Sequence, residues 1–126
     1  MDKKILLVDD AAFMRMLIRN TLTTNGYTNI LEAADGEIAV STYSAEKPDL
    51  VIMDITMPNK TGIEALKEIR RHTTQLPVIM QTAYAFDTDR RIAEEAGCNG
   101  FITKPVMPRE LKMYPVSYTH LRAHET

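Results

Sequence analysis

The chain has 126 residues, 44% of them hydrophobic and 25% charged, and a formal net charge of −2. That length suits one domain around a single core, and no apolar run nears the roughly 20 residues needed to span a bilayer. A slight acidic balance with no basic stripe argues against direct nucleic-acid binding by this segment, and a lone cysteine, Cys98, excludes an internal disulfide and suits no zinc site.

The first element is the continuous apolar run Ile5-Leu6-Leu7-Val8. It follows Met1 closely, is too short for a signal-peptide core and ends in Asp9-Asp10, so a cytoplasmic location is expected. Met14, Leu17, Ile18, Thr21 and Leu22 then share one face of a helix, with Gly26 where a C-terminal cap belongs. Ile30-Leu31 marks a weaker strand. The segment from Gly36 to Glu46 is a helix with only a thin stripe, Val40 and Tyr43. Leu50-Val51-Ile52-Met53 is the next run, followed by a helix from Thr61 to about His72 that lines up Ile63, Leu66 and Ile69. Pro77-Val78-Ile79-Met80 precedes a mostly polar helix from Asp87 to Ala96, whose inner face is Ile92, Ala93 and Ala96. Gly97 caps it, Cys98 is expected as small buried filler, and Phe101-Ile102 forms the last run. A final helix starts at Pro108-Arg109-Glu110-Leu111, where proline is well placed, but Pro115 interrupts it early, so this helix is expected to be truncated.

Runs without polar alternation suit strands covered on both faces, and strand and helix alternate throughout. The expected fold is therefore an α/β parallel sheet with helices on both sides. Ligands of such sheets bind at the carboxyl ends of the strands. The residues just past the runs are Asp9 and Asp10, Asp54, Thr82, and Thr103-Lys104-Pro105. Taken singly, each has an ordinary explanation; Asp10 before Ala11 could be no more than a helix N-cap. Together they place three carboxylates, a hydroxyl and an ammonium on one edge. Two like charges ~4 Å apart repel by about 4 kcal/mol at an effective dielectric of 20, so the cluster demands a cation beyond Lys104. Oxygen donors select a hard divalent ion such as Mg²⁺. A carboxylate beside such an ion and a lysine can attack phosphorus and become an acyl phosphate.

Four segments carry a resemblance: ILLVDD at 5–10, LVIMDITMP at 50–58 with Gly62 shortly after, QTAY at 81–84 and GFITKP at 100–105. In this order and spacing they resemble the signature blocks of response-regulator receiver domains, over Lys3 to about Lys112. The resemblance implies a flavodoxin-like doubly wound five-stranded sheet of order 2-1-3-4-5. It implies that Asp54 accepts a phosphoryl group from a histidine kinase or histidine phosphotransfer protein, and that the chain catalyses only its own phosphorylation and dephosphorylation. Mg²⁺ would be held by Asp10 and Asp54, by Asp9 through a water, and by the backbone carbonyl of Thr56. Lys104 would pair with a phosphoryl oxygen and be aimed by a cis bond to Pro105. Thr82 and Phe101 would act as the switch pair that alters a partner or output surface, and Thr56 and Tyr84 would tune phosphoryl lifetime.

Other functions fit less well. A phosphohydrolase of the haloacid-dehalogenase type usually needs a second Asp two residues after the nucleophile, where this chain has Thr56. A flavodoxin proper would need a phosphate loop where Asp9-Asp10 would repel the phosphate. A receiver-like binding module without phosphorylation would typically lack one of the acids or the lysine. The last residues, Val116 to Thr126, resemble the in-frame translation of a transposase adapter used in sequencing libraries. The expected division is thus a receiver domain at 1–115 and a non-native tail at 116–126. The output domain or protein downstream is not legible.

Overall fold

The computed structural model describes residues 3–57, 59–82 and 87–103. Lys104, Pro105, Tyr84, the start of the expected last helix and the tail lie outside the described residues. In chain order the elements are β1 (Ile5–Val8), α1 (Ala12–Thr24), β2 (Ile30–Ala33), α2 (Gly36–Glu46), β3 (Leu50–Asp54), α3 (Gly62–Arg70), β4 (Val78–Thr82), α4 (Asp87–Ala96) and β5 (Gly100–Thr103). The strands form one parallel sheet in the order β2-β1-β3-β4-β5. This is the order expected from the sequence.

Alternation along each strand divides the core in two, because successive side chains leave a strand on opposite faces. On one face Leu6, Val8, Val51, Met53, Val78 and Met80 pack against Ala39 and Tyr43 of α2, Ala65, Leu66 and Ile69 of α3, and Ala93 of α4. On the other, Ile5, Leu7, Leu50, Ile52, Ile79 and Ile102 pack against Ile18 and Leu22 of α1, with Tyr27 and Ile30. Burying a side chain such as Leu66 or Ile69 contributes about 1.5–3 kcal/mol. Burial of the Tyr27 ring pushes its phenol above the usual value.

Local sequence explains most boundaries. Thr61 and Glu64 form a reciprocal capping box at the start of α3, and Asp35 caps α2 by accepting from the Ile38 amide at 2.8 Å. Gly26 and Gly97 come just after their helices with φ of +94° and +105°. Three expectations of burial are corrected. Leu17 is 39% exposed and Ile92 42%, although both have helical spacing with core residues. Cys98 is partly buried, packed against the core edge beside α4. Phe13 and Met16 are also exposed, so α1 presents more apolar surface than its inward face accounts for.

Candidate functional site

The sheet's carboxyl edge is where the candidate residues gather. Asp9 comes directly after β1 and is 1% exposed, Asp54 ends β3 at 5%, Thr82 ends β4 at 6%, and Asp10 is exposed. One carboxylate oxygen from each of Asp9, Asp10 and Asp54 lies within 4.8 Å of the others. Such a set carries three like charges at short range and offers oxygen donors alone, which fits a hard divalent cation of the Mg²⁺ kind.

Asp9 is held by several hydrogen bonds. Its amide donates to the Ala33 carbonyl at 3.1 Å, and Oδ1 accepts from the Ala11 amide at 2.9 Å, closing the turn into α1. Asp10 is therefore not the helix cap; Ala11 holds that position without a side-chain bond. The Arg15 guanidinium donates to the Asp9 carbonyl and, at 2.7 Å, to Glu32 of β2. Arg19 reaches the other Glu32 oxygen at 2.8 Å. The bond from Arg15, helped by Arg19, holds the Glu32 carboxyl below the usual carboxylate range against a smaller opposing effect of burial. Oδ2 of Asp9 accepts from Gln81 Nε2 at 3.2 Å, a bond that is itself buried.

The segment after Asp54 is pinned from several sides. The Ile55 amide donates to the Gln81 carbonyl at 3.0 Å, and the Ile55 carbonyl accepts from Gly62 at 2.8 Å. A Cβ on Gly62 would collide with the carbonyl of Asp54, so only glycine lets α3 start this close to the acid. Beyond exposed Thr56, Met57 is buried in the core. Asn59 adopts a left-handed φ of 69° and donates to Asp35 at 2.8 Å. The Ile38 amide first, and Asn59 second, hold the Asp35 carboxyl below its usual value. Lys60 pairs with Glu68 of α3 at 2.6 Å, and its carbonyl accepts from Gly36 at 3.2 Å.

Thr82 stands in register with Thr103, next to the acidic cluster's strand. Phe101 is partly buried against the α2–α4 core, with the Arg90 guanidinium 4.9 Å from its ring centre. Sequence reasoning thus placed Asp9, Asp10, Asp54 and Thr82 at one edge, with Thr56 in the adjoining loop. It missed Arg15 and Gln81 as supports of Asp9. Arg15 on a helix reads as a solvated charge, and the polar Gln81 inside an otherwise apolar strand was the available sign.

Comparison with known proteins agrees with this geometry. Residues 5–114 match the family described as response regulator receiver domain. The chemotaxis protein CheY of Bacillus subtilis is 48% identical over 105 residues, which are 83% of this chain and 88% of that protein. The transcriptional regulatory protein PhoP for alkaline phosphatase synthesis, from the same organism, is 38% identical over 111 residues, 88% of this chain but 46% of the relative. A CheY-like receiver domain structure from Methanospirillum hungatei superposes with a TM-score of 0.87 at 27% identity, covering 100% of both chains. The chain therefore belongs to the response regulator receiver domains, the phosphoacceptor modules of two-component signal transduction.

Proposed function

We propose that Asp54 is the phosphoacceptor and that Asp9, Asp10 and Asp54, with the backbone carbonyl of Thr56, hold a Mg²⁺ ion. The observation that carries this reading is the convergence of the three carboxylates at the end of β1 and β3. When bound, the ion supplies charge neutralisation and a template for the phosphoryl oxygens. An oxygen of Asp54 attacks the phosphorus of a phosphohistidine on a histidine kinase or phosphotransfer protein. The P–O bond forms as the P–N bond breaks, and the freed histidine takes up a proton. Lys104 pairs with a phosphoryl oxygen, and Thr82 donates its hydroxyl to another.

The added charge then biases a two-state surface through Thr82 and Phe101. Support for this comes from the half-packed Phe101, which Arg90 of α4 overlies. The responding surface comprises α4 and β5 together with the chain beyond Thr103, and it acts on an output domain or separate protein. The reading of the receiver as residues 1–115, with 116–126 outside it, draws support from a family match that ends at 114.

Asp54→Asn tests the acceptor, since an amide oxygen is too poor a nucleophile. Intact-mass measurement after incubation with acetyl phosphate and Mg²⁺ is expected to show one added phosphoryl group on the wild type and none on the variant. Uptake by the variant at the wild-type rate would remove Asp54 from the role.

A further inference from the structure

Gln81 is 0% exposed and sits on the sheet face shared with Ile79, one residue before Thr82. Its Nε2 donates to Asp9 Oδ2 at 3.2 Å. An ionised carboxylate only accepts, so the amide nitrogen must face Asp9 and the amide oxygen is left over. That Oε1 is buried and has no hydrogen-bond partner among the described residues. A stranded buried acceptor destabilises a fold, whereas a leucine or methionine of similar size would fill the same space without that penalty. A glutamine at this place calls for a donor.

We propose that Gln81 is a positioning residue for cation binding: its nitrogen fixes the Asp9 carboxylate, and its Oε1 accepts a hydrogen from a water that accompanies a hydrated divalent ion. The inference rests on reading Asp9, Asp10 and Asp54 as a Mg²⁺ site. Asp9 is suited to such a role because Oδ1 is already tied to the Ala11 amide and Oδ2 to Gln81. Mg²⁺ gives up its waters reluctantly, whereas Ca²⁺ takes more direct oxygen ligands, so an acceptor for water favours Mg²⁺.

The test is titration of the full chain, Gln81→Leu and Gln81→Met with Mg²⁺ and separately with Ca²⁺, monitored by NMR shifts, beside thermal unfolding in metal-free buffer. Loss of the amide is expected to weaken Mg²⁺ binding roughly three- to tenfold, the effect of one or two hydrogen bonds. Ca²⁺ binding should change less, and the metal-free unfolding temperature should stay near the wild type, because a lost bond and a removed stranded acceptor offset each other. Unchanged or tighter Mg²⁺ binding, or equal weakening toward both ions, overturns the proposal; the amide would then be packing or a competitor for Asp9. Gln81→Met, unbranched and adaptable, is read by the same criteria if Gln81→Leu does not fold. Failure of both to fold assigns the amide to the fold and overturns the proposal. A wild type that binds no Mg²⁺ overturns the metal site itself, which separates that failure from the failure of Gln81's role.

Discussion

At the amino-terminal end of the sheet side chains tie the strands together by hydrogen bonds, whereas at the carboxyl-terminal end three carboxylates gather and a buried amide oxygen has no donor among the described residues. Before β1 and β3, the Lys4 amide donates to the Asp49 carboxylate at 2.8 Å and the Asp49 amide returns a bond to the Lys4 carbonyl at 2.7 Å. Before β4 and β5, Asn99 Oδ1 accepts from both the Val78 amide and Arg70, each at 2.8 Å. Arg70 also donates to the Gly97 carbonyl at 2.9 Å, joining the end of α3 to the end of α4. The same strands thus end in two environments. One end of the sheet is tied by hydrogen bonds between unlike groups, and the other gathers three like charges.

The comparison can be broken most strongly at Asn99. Asn99→Ala removes the acceptor shared by the Val78 amide and Arg70 and is expected to destabilise by about 2–3 kcal/mol. A urea midpoint measures this, and the folded fraction should still take up phosphate from acetyl phosphate. A loss of phosphorylation in folded protein would show that the two ends are not separable. At the opposite end the sign should reverse. Asp10→Asn removes one of the like charges and is expected to raise metal-free stability by about 1 kcal/mol, a small part of the repulsion because Asp10 is exposed and screened. The same change should abolish the rise in unfolding temperature that saturating Mg²⁺ gives the wild type, a rise set by ligand concentration over the dissociation constant. Thermal unfolding with and without Mg²⁺ reads both effects.

Glu32 offers the smallest and most specific check, since it supports Asp9 only through Arg15. Its carboxyl is held low in the folded state, so its contribution is complete above the ordinary value of about 4.3 and is lost as pH falls through the lower folded-state value. The group is partly exposed, so Glu32→Gln should cost about 0.5 kcal/mol near neutrality. Urea midpoints of the two proteins should converge as the solution becomes strongly acidic. A gap that persists there would assign the effect to packing.

How far these features were legible depends on the range of the interactions. The strands were readable because burial on both faces writes an unbroken apolar run, and Asp9, Asp10, Asp54 and Thr82 were readable because they stand at the ends of those runs. Helix α2 was faint because its buried face is Gly36, Ala39 and Tyr43, small residues for the most part that leave a weak stripe. Leu17 and Ile92 misled because spacing shows which residues share a face, not what covers it. Asn99, Arg15 and Gln81 were opaque for another reason. Their partners lie 6 to 72 residues away, and only the assembled sheet brings them together. The clustered acids were found by position, but the groups that hydrogen-bond to Asp9 were not.

The contact between Gly62 and the Asp54 carbonyl bears on how this domain tolerates change. Each single-nucleotide replacement of a glycine codon that yields another amino acid adds a Cβ, and here a Cβ meets backbone that has no rotamer to change. Alanine, serine and valine at this position therefore differ little in outcome. In a random library, position 62 should return almost no functional variants, while exposed Thr56 in the adjoining loop should accept many. Directed evolution of this domain has its freedom in the loop and its fixed point at the first residue of α3.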